Sequence, residues 1–181
     1  QNDLSDLVNV KRKGKIAMNL PDGVTLVNAA IADENDDIML VTALGRAIRF
    51  PTTEIRVFKS RGSTGVRGIR VGKGDSVVSM SIIRHFEADP AERMAYLKQR
   101  RLMAGVVEDE ADEEEDVAAE GQLSPERYAE MSAAEDLILT ITASGSGKLS
   151  SSHDYPVRGR GGMGVKAMDG AMRGGALVAS F

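Results

Sequence analysis

The sequence predicts an all-β fold of repeated, propeller-type blades, with an acidic and partly helical insertion between two of them. Three observations predict it: short segments in which apolar and polar residues alternate, glycine-bearing turns between those segments, and self-similarity with a period of about 50 residues. About four strands per 50 residues is typical of propeller blades. A β-sandwich whose turns are evenly spaced by coincidence is the competing interpretation.

Alternation with a period of two identifies the strands. Residues 46–50 and 78–82 are the clearest examples, and side chains that alternate in this way belong to half-buried strands. Strands are also predicted at 26–31 and 66–71. Turns lie between the predicted strands, at Pro21–Gly23, Gly72–Asp75 and Arg173–Gly175.

The repeat is visible when the chain is compared with itself. Residues 14–31 align with residues 65–82, and a third copy runs from Gly164 to Ala179. The other half of the repeat, 38–45, recurs at 138–145, an offset of one repeat plus about 50 residues. An insertion therefore separates two repeats. The predicted division is blades over 1–84, the first of them incomplete, an insertion over 85–135, and a further blade over 136–181.

Charge divides the chain in the same way. The formal net charge is -4, from 23 basic and 27 acidic residues. The window 85–136 holds 16 acidic and five basic residues, a net charge of -11, and the remainder is +7. The acidic total therefore conceals a basic repeat array, and it does not exclude a partner such as nucleic acid.

The insertion carries helix signals. Asp89 can cap a helix that begins at Pro90 and continues to Gly105, and Ser124–Glu126 repeats that start for a shorter helix. The acidic run Glu108–Asp116 is predicted to be extended and solvated, because its like charges repel one another.

Several kinds of site are excluded by composition. The chain has no cysteine and two histidines, which excludes disulfide scaffolds, cysteine-ligated metal centres and histidine-rich metal sites. It has no apolar run of about 18 residues and no signal peptide, so we expect neither a membrane span nor export. A cytoplasmic protein is expected, and the start at Gln1 suggests a piece of a longer one.

Two groups of motifs carry a family resemblance. Residues 39–50, continuing to 65–70, and residues 145–148, leading to 155–165, resemble the C-terminal domain of the A subunit of bacterial DNA gyrase. The resemblance covers 4–84 and 136–181. It implies a partial β-pinwheel, propeller-like in appearance, from a family of six-bladed domains that wrap duplex DNA around the outer rim. It also implies a parent that supports ATP-dependent negative supercoiling.

The chain departs from the family at its best-known landmark. No perfect copy of the glycine- and arginine-rich gyrase box occurs, and Arg158–Gly164 and Arg61–Gly65 look like degenerate counterparts. Two alternatives therefore stay open: the corresponding domain of topoisomerase four, which decatenates, and a protein-interaction propeller that does not bind DNA.

Basic side chains near the repeat loops are the candidate DNA contacts. Arginine forks suit phosphate oxygens, and neighbouring glycines let the backbone approach them. Aromatic residues make up only 4% of the chain, which disfavours single-strand stacking. The predicted DNA-binding residues are Arg46, Arg49, Lys59, Arg61, Arg67, Lys148, Arg158, Arg160 and Lys166.

No catalytic, metal or ATP site is expected in this chain. The resemblance implies that the parent uses ATP and Mg²⁺, pairs with a gyrase B subunit, and forms an A-subunit homodimer, without a membrane partner. Tyr128 and the Ser151–Asp154 run look like catalytic groups, but we interpret them as a structural tyrosine and a turn. The 145–148 segment lacks P-loop spacing.

Three roles for the insertion stay open. It could be a flexible spacer, or it could fold over the basic rim and compete with DNA. In the third role, the helix that begins at Pro90 docks a protein through Met94, Leu97 and Met103.

Overall fold

The described part of the chain is mostly β-structure. The computed structural model describes residues 1–59, 62–105, 122–168 and 174–181, and within them seven strands form two antiparallel sheets. The strands are β1 Asp36–Thr42, β2 Arg46–Pro51, β3 Val77–Arg84, β4 Leu137–Thr142, β5 Gly147–Ser151, β6 Val165–Lys166 and β7 Leu177–Ser180. The helices are α1 Pro90–Met103 and α2 Pro125–Ala133, and 3-10 turns span Leu4–Leu7, Thr52–Glu54 and Ser152–Asp154.

The two sheets are built on equivalent hairpins. Ile38 pairs with Phe50 in the first sheet, and Ile138 pairs with Ser150 in the second. The offset of 100 residues predicted from the sequence is therefore confirmed. Each hairpin turns through a glycine with a φ of +84°, Gly45 and Gly145, a conformation that glycine adopts without steric cost.

Strand exchange between repeats distinguishes the fold from a row of independent blades. The first sheet has the order β3-β1-β2-β6, and the second has the order β5-β4-β7. Strand β6 follows the insertion in sequence, yet it pairs with β2 of the first sheet. The first sheet thus reaches four strands only with one from a later repeat, and three strands of the second sheet lie in the described residues. The antiparallel, blade-like sheets confirm the predicted fold class, and β6 is the strand that crosses between repeats.

The main core lies where the two sheets face each other. Met39, Val41 and Ala47 of the first sheet pack in one buried cluster with Ile138 and Leu177 of the second. Ile48 and Phe50 lie on the opposite face of the first sheet, and there they pack with Ile69. Burial of apolar side chains on both faces fixes the position of β2, because a shift by one residue would exchange its two faces.

Two segments predicted as strands are not strands. Residues 26–31 and 66–71 align with β-forming parts of the other repeats, but neither contains a strand, and Leu26 and Ile31 are exposed. Strands β3 and β7, which are equivalent to 26–31, pair with the first strand of the hairpin that precedes them. Strand β6, which is equivalent to part of 66–71, pairs with β2 of the first sheet. No hairpin lies in residues 1–25 to pair with 26–31. Alternation therefore predicted strands where no strand partner is described.

The two predicted helices are confirmed. The Asp89 carboxylate accepts a hydrogen bond from the Glu92 amide at 2.8 Å, and the Ser124 hydroxyl accepts one from the Arg127 amide at 3.1 Å. These caps satisfy amides that have no partner within the helix. The acidic run 108–116 lies outside the described residues. No helix in the described ranges is long and apolar enough to cross a membrane.

Both helices pack against the second sheet through one histidine. The His153 ring is buried, and its Nε2 donates a hydrogen bond to the Met131 carbonyl oxygen of α2 at 2.9 Å. The Tyr96 ring of α1 meets the same imidazole edge-on, with centroids 4.9 Å apart. Arg84 also donates to the Ala133 carbonyl oxygen at 2.8 Å. The described helices of the insertion are thus part of the folded body, which corrects the flexible-spacer interpretation for them.

Candidate nucleic-acid interface

Two arginine- and glycine-containing segments, 65–71 and 157–162, lie side by side; we call them the Arg-Gly loop pair. The Gly161 amide donates to the Gly68 carbonyl oxygen at 2.5 Å, and the Arg70 amide donates to the Gly162 carbonyl oxygen at 2.8 Å. Some 90 residues separate the two segments in sequence. The fold therefore places the degenerate box-like motif that begins at Arg158 beside a segment that the sequence assigns to a different repeat.

Four exposed arginines lie in the Arg-Gly loop pair, and Arg67 and Arg158 are the two considered first as DNA contacts. Both side chains reach solvent, and neither guanidinium makes a hydrogen bond or ion pair with another described residue. The Arg158 amide donates to the Arg49 carbonyl oxygen at 2.9 Å, which fixes its backbone on the first sheet. Both guanidinium forks are thus available to an anion, and Arg158 projects from a fixed backbone.

Arg160 serves mainly to brace the Arg-Gly loop pair. Its Nε donates to the Glu54 carbonyl oxygen and its Nη1 to the Arg67 carbonyl oxygen, both at 3.2 Å. Its amide also donates to the Glu54 carboxylate at 2.8 Å. Arg160 stays exposed, but two of its donors are engaged within the protein. It is consequently a weaker candidate for phosphate contact than the sequence suggested.

A second group of cations lies toward the hairpin tips. Arg46 of β2 is the register partner of Lys166 of β6, so two exposed cations stand opposite each other across an antiparallel pair. Like charges directly opposite each other repel across a strand pair. Lys148 is exposed near the tip of the second hairpin. Sequence reasoning placed Arg46 and Lys166 in different blades, and strand exchange brings them together.

Gly164 lets β6 approach β2 closely. A Cβ atom at this position would overlap the Ala47 carbonyl oxygen, and the residue has a φ of +68°. The Ala167 amide then donates to the Gly45 carbonyl oxygen at 2.8 Å, which holds the end of β6 on the hairpin tip. The Arg46–Lys166 juxtaposition therefore depends on a glycine at position 164.

Arg49 is not a surface contact, and this prediction is corrected. The side chain is 2% exposed; its Nε donates to Asp37 Oδ2 at 2.6 Å and its Nη2 to the Arg84 carbonyl oxygen at 2.8 Å. Its Nη1 donates to the Ser152 carbonyl oxygen of the second sheet at 2.9 Å. The guanidinium is engaged between the sheets. The burial of Arg49 could have been predicted from Asp37, an opposite charge that lies diagonally across the hairpin on the same face of the sheet.

The remaining predicted contacts lie on the segment after the first sheet. Lys59 is exposed, and beside it the Arg56 guanidinium lies 4.9 Å from the centroid of the Phe58 ring. Arg61 lies outside the described residues. Lys59 is therefore consistent with a surface role, although it is not joined by a hydrogen bond to the Arg-Gly loop pair.

The catalytic look-alikes have structural positions. Tyr128 stacks on Tyr96 with ring centroids 5.0 Å apart. The Ser151 hydroxyl accepts a hydrogen bond from the His153 amide at 3.1 Å, and so forms a capped 3-10 turn. Desolvation by burial lowers the pKa of His153, and its Nε2 is taken by Met131. The interpretation of 151–154 as a turn is confirmed.

Sequence reasoning missed a contribution from the insertion. Arg93 of α1 is half-buried and lies near Arg158, whose charge helps to lower the pKa of Arg93 after the larger effect of burial. The segment 85–105, which contains α1, carries four basic and three acidic residues, whereas the insertion as a whole is acidic. Counting charge separately for each predicted helix would have shown that the first helix is slightly basic and could contribute cations to the interface.

Known proteins are similar to this chain on both sides of the insertion. A family model described as the DNA gyrase C-terminal domain, beta-propeller, matches residues 3–33, 36–84 and 136–181. The DNA gyrase A subunit of Granulibacter bethesdensis is 46% identical over 192 aligned positions, which cover 99% of this chain and 20% of that protein. The DNA gyrase A subunit of Rickettsia bellii is 39% identical, with 93% of this chain and 19% of that protein covered.

A solved structure shares the fold. The crystal structure of the C-terminal domain of DNA topoisomerase IV superposes with a TM-score of 0.58 at 15% identity, covering 93% of this chain and 37% of that one. The present chain spans about a fifth of the length of the two gyrase relatives.

Proposed function

This chain belongs to the family of DNA gyrase C-terminal domains, and we propose that it binds duplex DNA and bends it around the rim of its blades. The observation that carries the proposal is the docking of the Arg-Gly loop pair, which places Arg67 and Arg158 on one exposed surface. Both cations project from backbone that hydrogen bonds hold in place, and such cations position a phosphate backbone without reading sequence.

Electrostatics must supply the energy for bending. Smooth bending of 20–30 base pairs costs on the order of 1–6 kcal/mol. Neutralised phosphates release counterions, which gives a log-log salt slope of about -0.9 for each phosphate contacted. The proposed contacts are Arg46, Lys59, Arg67, Lys148, Arg158 and Lys166, with Arg160 as a brace and Arg61 outside the described residues. Arg46 and Lys166 lie opposite each other across the β2–β6 pair, so we propose that they contact the same stretch of phosphate backbone.

The proposed role of DNA binding by this domain lies in the complete enzyme. We propose that the parent is a cytoplasmic gyrase, in which DNA held by this domain is presented to the rest of an A-subunit dimer and its B subunits for ATP-dependent negative supercoiling. The described residues contain no cluster of three acidic or histidine side chains that could hold a metal ion. We propose that ATP and Mg²⁺ act in other parts of the holoenzyme.

Fluorescence anisotropy with labelled duplexes of about 30 base pairs, at several salt concentrations, tests the proposal. Arg67→Gln and Arg158→Gln should each weaken binding roughly tenfold at low salt, as expected for the loss of one charge-assisted contact. If the duplex is bent, fluorescence energy transfer between donor and acceptor dyes on its two ends should rise on binding, because the ends come closer together.

Arg12→Gln is the matched control, because Arg12 is an exposed arginine outside both cation groups. The duplex affinity of this variant should equal that of the unmodified protein. Absence of salt-dependent duplex binding would overturn the proposal and favour a protein-interaction propeller. Decatenation in place of supercoiling by the complete enzyme would favour the topoisomerase four alternative.

A further inference from the structure

A cleft of about 760 Å³ separates the first turn of α1 from the segment that follows β5. Its lining includes His85, Phe86 and Arg93 on the insertion side, and Tyr155 and Arg158 on the blade side. The family match stops at residue 84 and resumes at 136, so one wall belongs to the insertion. The cleft is therefore a feature that the blade repeat alone does not create.

Two arginines line this cleft, and each has side-chain N–H groups that make no hydrogen bond to a described residue. Arg93 donates from Nη1 to the His153 carbonyl oxygen at 3.2 Å, which leaves its other N–H groups for a ligand. Arg158 donates none from its side chain to the described residues. Burial lowers the pKa of Arg93, as does the proximity of Arg158 and Arg49, and these effects outweigh the opposite effect of Asp154 and Asp89. Cations that repel one another across a cleft are stabilised by an anion between them.

The acidic residues around the cleft are engaged elsewhere. Glu92 is paired with Arg127 at 2.7 Å, and the Asp89 carboxylate caps the first turn of α1. Asp154 accepts a hydrogen bond from the Ser151 amide at 3.0 Å. The Glu87 side chain is 90% exposed and lies 3.7 Å from the His85 ring. Neither arginine therefore has a carboxylate within ion-pair distance among the described residues.

We propose that this cleft binds a phosphate group, held by Arg93 of the insertion and Arg158 of the blade. Two guanidinium forks present several N–H donors, which match phosphate oxygens bidentately. The phosphate belongs either to duplex DNA that passes over the blade, in which case the inference rests on the proposed function, or to a free anion such as pyrophosphate. In either case the insertion adds an anion site to the domain.

Arg93→Gln, Arg158→Gln and the double variant test the DNA source. We expect each single variant to weaken duplex binding roughly tenfold at low salt and to reduce the salt slope by about 0.9. The double variant should lose less than the product of the two single losses, because both residues hold one phosphate. Arg101→Gln, an exposed arginine in the last turn of the same helix, is the matched control and should behave as the unmodified protein.

Calorimetric titration with inorganic pyrophosphate tests the free-anion source. Pyrophosphate binding that Arg93→Gln abolishes, together with unchanged duplex binding by that variant, would assign the cleft to a free anion. Arg93→Lys, which keeps the charge, should retain part of the binding and shows that loss is not caused by unfolding of α1. Unchanged duplex and pyrophosphate binding in Arg93→Gln would overturn the inference. Failure of the unmodified protein to bind duplex would overturn the proposed function, while the pyrophosphate titration would still decide the cleft.

Discussion

Arg49 Nε lies 2.6 Å from Asp37 Oδ2, and both side chains are almost completely buried between the two sheets. The pair joins neighbouring strands of one hairpin, while the remaining guanidinium donors reach carbonyl oxygens of Arg84 and Ser152. A buried charge keeps its ionised form only when it is paired and hydrogen-bonded. The Asp37–Arg49 pair is therefore a structural contact that holds the two blades together.

Arg49→Gln should destabilise the fold by about 3–5 kcal/mol, because it removes the guanidinium from the buried Asp37 carboxylate and leaves His85 Nδ1, at 2.7 Å, as its remaining partner. Urea denaturation followed by circular dichroism measures the loss. Arg67→Gln is the control, since an exposed arginine should change the free energy of unfolding by no more than about 0.5 kcal/mol. Undiminished stability in Arg49→Gln, with weaker DNA binding, would restore Arg49 as a surface contact.

Arg46→Glu should move stability and DNA binding in opposite directions. An opposite charge facing Lys166 across the β2–β6 pair should stabilise the sheet by about 0.2–1 kcal/mol. The same change places a carboxylate where a phosphate is proposed to bind, so duplex affinity should fall by more than in Arg46→Gln. Thermal melting and anisotropy measure the two effects. If both fell together, a purely structural role for Arg46 would follow.

Gly164→Ala should be more damaging than a glycine replacement elsewhere. Gly164 and Gly23 both have positive φ, +68° and +78°, so alanine costs about 1–2 kcal/mol of backbone strain at either position. Only at Gly164 does the added methyl group meet a carbonyl oxygen, that of Ala47; nothing lies within 4 Å at Gly23. Denaturation of Gly23→Ala and Gly164→Ala should show the larger loss in the second, and equal losses would contradict the close approach of β6 to β2.

Docking of the insertion helices should weaken as the pH falls below 6.5. Burial lowers the pKa of His153 from its ordinary value of 6.5, so the unfolded segment binds the proton more readily than the folded one. The contribution of His153 is therefore present above pH 6.5 and is lost as the pH falls through the depressed pKa. Arg49 and Arg93 add to this depression, while Met131 and Glu135 oppose it. Near-ultraviolet circular dichroism of Tyr96 and Tyr128 reports the docking.

His153→Gln is the matched variant for this titration, because it keeps an N–H donor near Met131 and carries no titrating ring. Its near-ultraviolet signal should be independent of pH between about 6.5 and 5. Asp154 titrates with the opposite sign, since desolvation raises its pKa and its contribution to stability therefore grows as the pH falls. A pH-dependent signal that survives in His153→Gln would assign the effect to another group.

Much of the fold could be predicted from local pattern. The hairpins of β1–β2 and β4–β5, the two helix starts at Asp89 and Ser124, and the family all follow from periodicity, capping residues and repeated motifs. These signals are local because each depends on neighbours within a few residues. The segments 26–31 and 66–71 show the limit: the alternation is present, yet a strand requires a partner that alternation does not supply.

The candidate site could be predicted less completely. Arg67 and Arg158 are exposed as the sequence predicted, whereas Arg49, on a similar motif, is buried and paired. The difference cannot be read from residue type, because a guanidinium suits a phosphate and a buried carboxylate equally well. The division of the chain at 84 and 136, and the DNA contacts themselves, stay predictions.

The repeat, the secondary structure of the hairpins and helices, and the segregation of charge can all be read from the chain, because they are properties of composition, repeated motifs and short-range order. Which distant segments meet depends on the tertiary structure. Strand exchange places Lys166 opposite Arg46, the docking of two glycine-containing segments places Arg67 beside the 157–162 loop, and α1 brings Arg93 to Arg158. Each meeting is fixed by hydrogen bonds and packing between segments far apart in the chain, which no local pattern encodes.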